Sequence, residues 1–399
     1  MLGIATVHIR CAAVRILIVD TYYGAFVNAH YAARPGLERR YYSEQLSSLI
    51  GERFGTSDAY SHHLRALGHE ASEVIASCEP LQRAWAREHG AGRVGALVSR
   101  LAPGRYGVRA RRAALRSVLH AQVRQLDPDV VYLQDMGFHS IAEVERLRSG
   151  GRRLVAGQIA SPAPPDDHVR AFDLIVSSFP HFVERFRGLG VDSEYLSLAF
   201  DARLRDALRG EGIDPSPAGE RVHRVSFVGG LDPTVHSAGT ALLERVAQRV
   251  PIDFWGYGAQ ALPGDSAIRR RYHGEAWGLE MYRVLARSRI VVNRHIDVAA
   301  GYANNMRLYE ATGSGALLLT DPGRNLGELF APGREVVVYD GPEDLAVKLS
   351  AYLADDESRR RIAAAGQART LRDHTYERRM ADLAALLESR LRRRNARRS

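Results

Sequence analysis

Short, fully apolar segments recur along this chain, each bounded by a turn and followed by a stretch of helical character. "VRILIVD" (14–20) is the first. Its interior, Ile16 to Val19, is wholly aliphatic and mostly β-branched, as a strand covered on both faces must be. "SDAYSHHLRALGHEASEVIAS" then reads as a helix, a glycine stop at Gly68 and a strand near 72–76. "VRARRAALRSVLHAQVRQLDPDVVYLQD" reads as a basic amphipathic helix, a proline turn and a strand at 129–134. Further strands are expected at "RRLVAGQ", "FDLIVSS" and "SEYLSL". Such alternation is satisfied most economically by a parallel sheet with helices on its faces.

The texture changes at "RLRDALRGEGIDPSPAGERVHR" (203–224), which is polar and holds glycine and proline. A second alternating series follows through "VSFVGG", "IDFWGYG", "RIVVNRH", "GALLLTD" and "EVVVYD". At 399 residues the chain has room for two cores. The expected division is a lead-in over 1–13, a Rossmann-like domain over 14–202 and a linker over 203–221. A second Rossmann-like domain covers 222–374, and a C-terminal helix with a basic tail covers 375–399. Two consecutive doubly wound α/β domains enclose a cleft, and ligands in such sheets bind at the carboxyl ends of strands.

Several chemistries are disfavoured. No run of 18 apolar residues predicts a membrane span, and the N-terminus lacks a signal-peptide layout. Two cysteines, Cys11 and Cys78, point to a reducing compartment and against a cysteine zinc site. A cytoplasmic location follows. The net charge is +9, and six arginines lie between Arg390 and Arg398, so the remainder carries 9 − 6 = +3. The basicity belongs to the tail and not to a nucleic-acid groove. It reads as a solvated helix end or as an attraction to an anionic membrane surface at the inner face. "DPD" (127–129) spells a metal-chelating D-x-D but precedes its strand, where turn chemistry accounts for it. "GYGAQA" loosely matches a dinucleotide fingerprint, yet "LPGD" stops the helix that a pyrophosphate needs. No metal and no cofactor are expected.

"YANNMRLYEATGSGALLLTD" (302–321) is the chemically densest stretch. A helix starting near Tyr302 would aim free amides at a phosphate. Arg307 would fork onto its oxygens, and Glu310, three residues on, suits a ribose diol. Asn304 and Asn305 flank Arg307. Arg294 and His295, just past a strand end, converge on the same anion. A plain Arg307–Glu310 surface pair is the competing reading.

"NNMRLYEATGSGALLLTD", with "ELF", "EVVVYDGPEDLAVKLSAYL", "RRRIAAAGQ" and "HTYERRM", resembles the C-terminal half of bacterial CgeB-like glycosyltransferases, the spore-maturation-type relatives of retaining GT-B enzymes. "YSHHLRALGHE" is similar to a helix end of GT-B first domains, and "SFVGGL" to the loop opening the second. The resemblance implies a metal-independent, retaining, hexosyltransferase-type enzyme. Its nucleoside-diphosphate sugar would sit on domain two, and its acceptor (glycan, lipid, small molecule or protein) on domain one. It implies that Glu310 meets the donor ribose, that Arg307 faces the diphosphate, and that Gly229 and Gly230 let backbone approach it. Two positions depart from the family: Tyr302 stands where a sugar-contacting glutamate is usual, and "YLQD" puts Gln134 and Asp135 where a histidine is usual. Asp135, Arg307 and Arg294 are the candidate catalytic residues. Tyr22, Tyr23, Asp58 and Tyr60 are candidates for holding the acceptor. A nucleotide-sugar epimerase or hydrolase of the same fold, and a non-catalytic nucleotide-sugar-binding protein, are the alternatives.

Overall fold

The computed structural model describes residues 13–90 and 104–396, with side chains from 111 onward in the second stretch. The lead-in with Cys11, and the end of the tail from Arg397, lie outside the described residues.

Two all-parallel sheets form. The first comprises β1 (Arg15–Asp20), β2 (Glu70–Ile75), β3 (Val130–Leu133), β4 (Leu154–Ile159), β5 (Leu174–Ser177) and β6 (Ser193–Tyr195), ordered β2-β1-β3-β4-β5-β6. The second comprises β7 (His223–Val228), β8 (Asp253–Trp255), β9 (Ser288–Asn293), β10 (Leu317–Thr320) and β11 (Val337–Val338), ordered β11-β10-β9-β7-β8. The central strands are buried throughout, which is why they read as unbroken apolar runs. Register pairs Val19 with Leu133 and Thr320 with Asn293, so the strand exits line up along one edge of each sheet.

The 203–221 segment is a linker only in part: Arg203–Gly210 is a helix whose Leu204 and Leu208 are buried. The chain crosses back at Thr375, where Phe200 N–H donates to the His374 carbonyl (2.9 Å) and Tyr376 N–H donates to the Phe200 carbonyl (3.0 Å). Helix Tyr376–Ala396 then returns to the first domain. Tyr376, Met380, Leu383 and Leu387 pack with Ile16, Tyr60 and Leu64 in that domain's core. The basic segment is therefore a helix seated on domain one, and Arg390 is committed to Asp192 and Glu194.

The domains also touch across the cleft. Leu279 N–H donates to the Glu52 carbonyl (2.7 Å), and a Cβ on Gly278 would lie 2.0 Å from that oxygen. Tyr302 stacks on His181 of domain one at 5.6 Å and 10°, with Arg324 over its ring. Tyr302 thus serves an interdomain contact.

Candidate functional site

The exits of β7 and β8 are pressed together. A Cβ on Gly256 would fall 1.8 Å from the Gly229 carbonyl oxygen, so only glycine closes this corner. Gly230 lies under the His236 ring and the Tyr257 hydroxyl, which a Cβ would meet at 2.3 and 3.0 Å. "GYG" is therefore a packing device at a strand exit. The loop leads into helix Ser237–Ala247, whose first-turn amides have no partners within the helix. Arg294, at the exit of β9, lays its guanidinium against that turn: a Cβ on Gly239 would sit 2.8 Å from Nη1. Its ion pair is with Asp297, a largely exposed carboxylate at 3.2 Å. A phosphate-sized anion here would meet backbone N–H groups, a helix N-terminus and a guanidinium together.

Behind Arg294 the groups are fixed. His295 is buried, and burial with Arg294 nearby lowers its pKa to about 4, so the ring is neutral. Its Nδ1 accepts from Asn304 N–H (3.3 Å), which leaves the proton on Nε2, 3.6 Å from Asp321. His295 braces the loop and does not line the cleft. Asn305 donates to Asn293 Oδ1 (2.7 Å) and to the Arg294 carbonyl (2.9 Å), tying the loop to the β9 exit. The Asn304 side-chain nitrogen, Nδ2, is buried with no hydrogen-bond partner among the described residues.

Helix Arg307–Gly313 starts five residues later than the sequence suggests, because Asn305 Oδ1 accepts from Leu308 N–H (3.2 Å) and caps it there. At seven residues it offers no first-turn amides near Tyr302. Glu310 is only 4% exposed. Its Oε2 accepts from Arg307 Nη1 (2.7 Å) and its Oε1 from the Tyr282 hydroxyl (3.1 Å). The Arg307–Glu310 pair forms, but it is buried, unlike the surface pair of the competing reading. A ribose would have to share these carboxylate oxygens.

On the first domain only part of the expected constellation faces the cleft. Tyr23 is 58% exposed and meets Tyr257 and Trp277 of domain two edge-on, at 6.5 and 5.7 Å. Tyr22 is buried against Phe26 and Phe54. Tyr60 is buried, and its hydroxyl donates to Gln158. Asp58 is held by Arg53 (2.8 Å) and Arg203 (2.8 Å), which lower its pKa despite burial. These three are corrected to structural residues: two aromatic core positions and one anchor for the interdomain segment. Asp135, at the exit of β3, accepts from Thr21 Oγ1 (2.9 Å) and from Gly137 N–H (2.9 Å). Beside it, at the exit of β1, stands Asp20, which the sequence reading passed over. Burial, with Asp135 adding like charge, raises the Asp20 pKa to about 7. The signal was present in "LIVD", an acid closing an otherwise apolar strand. The Asp127–Asp129 turn sits at the opposite ends of the strands, where both acids pair with Arg15.

With this geometry in place, the chain can be set beside known proteins. Residues 238–385, which include Arg294, Glu310 and the helix under Arg294, match the family model described as glycosyl transferase-like. No curated protein matches the chain. HepE from Anabaena, solved with UDP-glucose, superposes with a TM-score of 0.56 at 14% identity, covering 94% of this chain and 100% of that one. Sucrose-phosphate synthase from Thermosynechococcus elongatus gives 0.56 at 14%, covering 94% and 98%. A glycosyltransferase from Rickettsia africae gives 0.53 at 10%, covering 95% and 99%. The fold is GT-B. In a GT-B fold the two rows of strand exits face one another, and here Tyr23 reaches Tyr257 and Trp277 from the opposite row.

Proposed function

We propose that this protein is a glycosyltransferase that moves a sugar from a nucleoside-diphosphate sugar to an acceptor held by the first domain. The observation that carries the proposal is the seat of Arg294, a guanidinium laid across the first turn of helix Ser237–Ala247 beside the Gly229–Gly230 loop. The family match over 238–385 supports it.

The chemical problem is departure of a diphosphate from an anomeric carbon. Charge grows on the leaving phosphate, and preorganised donors lower the barrier most where that charge grows. Arg294, the first-turn amides and the Gly230 backbone supply those donors. Cations and dipoles do this work without a metal, and none is included in the proposal. The unpartnered Asn304 amide is suited to a donor oxygen. Arg307 pairs with Glu310, which also accepts from the Tyr282 hydroxyl, bracing the helix behind the site, with Glu310 available to a ribose hydroxyl on its second lone pairs.

On the facing domain, Asp20 is the group suited to take or orient the acceptor hydroxyl proton, with Asp135 and Thr21 fixing its surroundings. Retention of configuration, a hexose as the transferred sugar and membership of the CgeB-like subgroup rest on the sequence resemblance. The experiment is a product assay over UDP-, GDP-, ADP- and TDP-sugars with a mixed acceptor panel, the anomer read by NMR. Transfer to an acceptor supports the proposal. Epimerised or hydrolysed donor without acceptor redirects it to those reactions, and donor binding without turnover redirects it to a binding protein.

A further inference from the structure

A cavity of about 330 Å³ flanks β2, the edge strand of the first sheet, and none of the donor-site residues lines it. That volume falls within the range of small-molecule sites. Its wall has an apolar side, with Leu46, Ile50, Val74 and Trp85, and a polar side that includes Asp58, Arg65 and Glu73. Glu73 is buried in the middle of β2. Its Oε1 accepts from Ser61 N–H (3.1 Å), while its buried Oε2 has no hydrogen-bond partner among the described residues. A buried oxygen left unmatched costs about 1–3 kcal/mol unless something satisfies it. The other charged groups on the wall are already engaged. Asp58 is saturated by Arg53 and Arg203, and Arg65 donates to the Ala71 carbonyl (2.8 Å).

We propose that this cavity is a binding site for a small organic ammonium, its charged head on Glu73 Oε2 and its apolar body against Trp85, Leu46 and Ile50. An anion would meet Glu73 and Asp58, and Arg65, the cation among the lining residues, is turned to the Ala71 carbonyl. An aromatic wall beside a carboxylate suits an ammonium.

The titratable groups facing Glu73 are Asp20 from β1, Tyr22 after it, Tyr42 from helix Tyr42–Gly51, Asp58 at the N-cap of helix Ala59–Ala66, and Tyr60 and Arg65 from that helix. Burial first, with Asp20 and Asp58 adding to it, raises the Glu73 pKa to about 8. The empty site therefore holds a neutral acid at pH 7, and an ammonium binds its ionised form.

The test is calorimetry with pentylammonium and cyclohexylammonium, using pentanol and cyclohexanol as neutral controls. The ammonium ions bind and the alcohols do not. From pH 6.5 to 8.5 their affinity rises roughly 20-fold, as the ionised fraction of a group titrating near 8 does. Glu73→Gln weakens binding at least about tenfold while keeping its melting temperature at pH 7, and Leu46→Phe, which fills the cavity, abolishes it. Equal binding of the alcohols, undiminished binding by Glu73→Gln, no binding of either ammonium, or a crystal structure with the protein's own residues filling the cavity would each overturn the proposal. None of these readouts uses transferase activity.

Discussion

Glu310→Gln is the substitution whose effects can be worked furthest. The side chain keeps its shape and loses its charge. In the wild type Oε2 accepts from Arg307 Nη1 and Oε1 from the Tyr282 hydroxyl, with both ion-pair side chains largely buried (14% and 5% exposed). The glutamine amide can still accept from one neighbour but must present N–H groups to the other. The Tyr282 hydroxyl can turn to accept; Arg307 cannot. Arg307 is left as a nearly buried, unmatched cation whose Nε already lacks a partner among the described residues. Breaking one side of a buried pair costs about 3–5 kcal/mol, and the slight exposure of Arg307 places this case near 2–3. For a domain of this size that lowers Tm by roughly 5–10 °C. The assay is denaturant unfolding of Glu310→Gln, Arg307→Met and the double variant. The double variant should recover part of the loss, with a coupling of about 2 kcal/mol. If a ribose diol also uses Glu310, donor Kd measured on folded Glu310→Gln rises roughly 10–100-fold. A loss below about 0.5 kcal/mol in both singles, with no coupling, would refute the bracing role.

Asp20 gives a pH prediction. Its raised pKa means the proton-accepting form appears as pH rises through about 7, so kcat/KM climbs below that pH and levels above it. Asp20→Asn should remove the limb and cost about 10²–10⁴ in rate, and Asp135→Asn should move the limb to lower pH. A flat wild-type profile assigns the proton to the leaving diphosphate and refutes Asp20 as base. Deleting Arg392–Ser399 should leave turnover of a soluble acceptor intact, because helix Tyr376–Ala396 is anchored by Leu383, Leu387 and Arg390 upstream of the cut; vesicle binding in parallel tests the membrane role, and collapse of turnover in a folded protein contradicts it. EDTA should leave activity within about twofold, whereas a hundredfold loss restored by Mn²⁺ would overturn metal independence.

Much of the fold was legible because the central buried strands leave an apolar signature, as in "VVYL" and "LLLT", whereas the edge strands "EASEVI" and "SEY" carry it only in part. The site was less so, for reasons that act at the scale of one residue. Tyr22 and Tyr23 are neighbours at a strand exit, yet one enters the core and the other faces the cleft. "YANNM" has helical composition, but the Asn305 side chain caps the helix and delays its start. Asp58 looked like a free acid because its partner Arg203 lies 145 residues away. Arg294 was chosen on sequence, but its seat on Gly239 depends on two elements meeting in space.

The central claim is that a nucleoside diphosphate binds where Arg294 crosses the first turn of helix Ser237–Ala247. Calorimetric titration of UDP, GDP, ADP and TDP into the wild type and Arg294→Ala tests it without any acceptor. The account predicts that at least one diphosphate binds the wild type and that Arg294→Ala weakens it by roughly 10–100-fold, the worth of a charge-assisted hydrogen bond. Binding unchanged by Arg294→Ala, or no binding of any of the four, would contradict it.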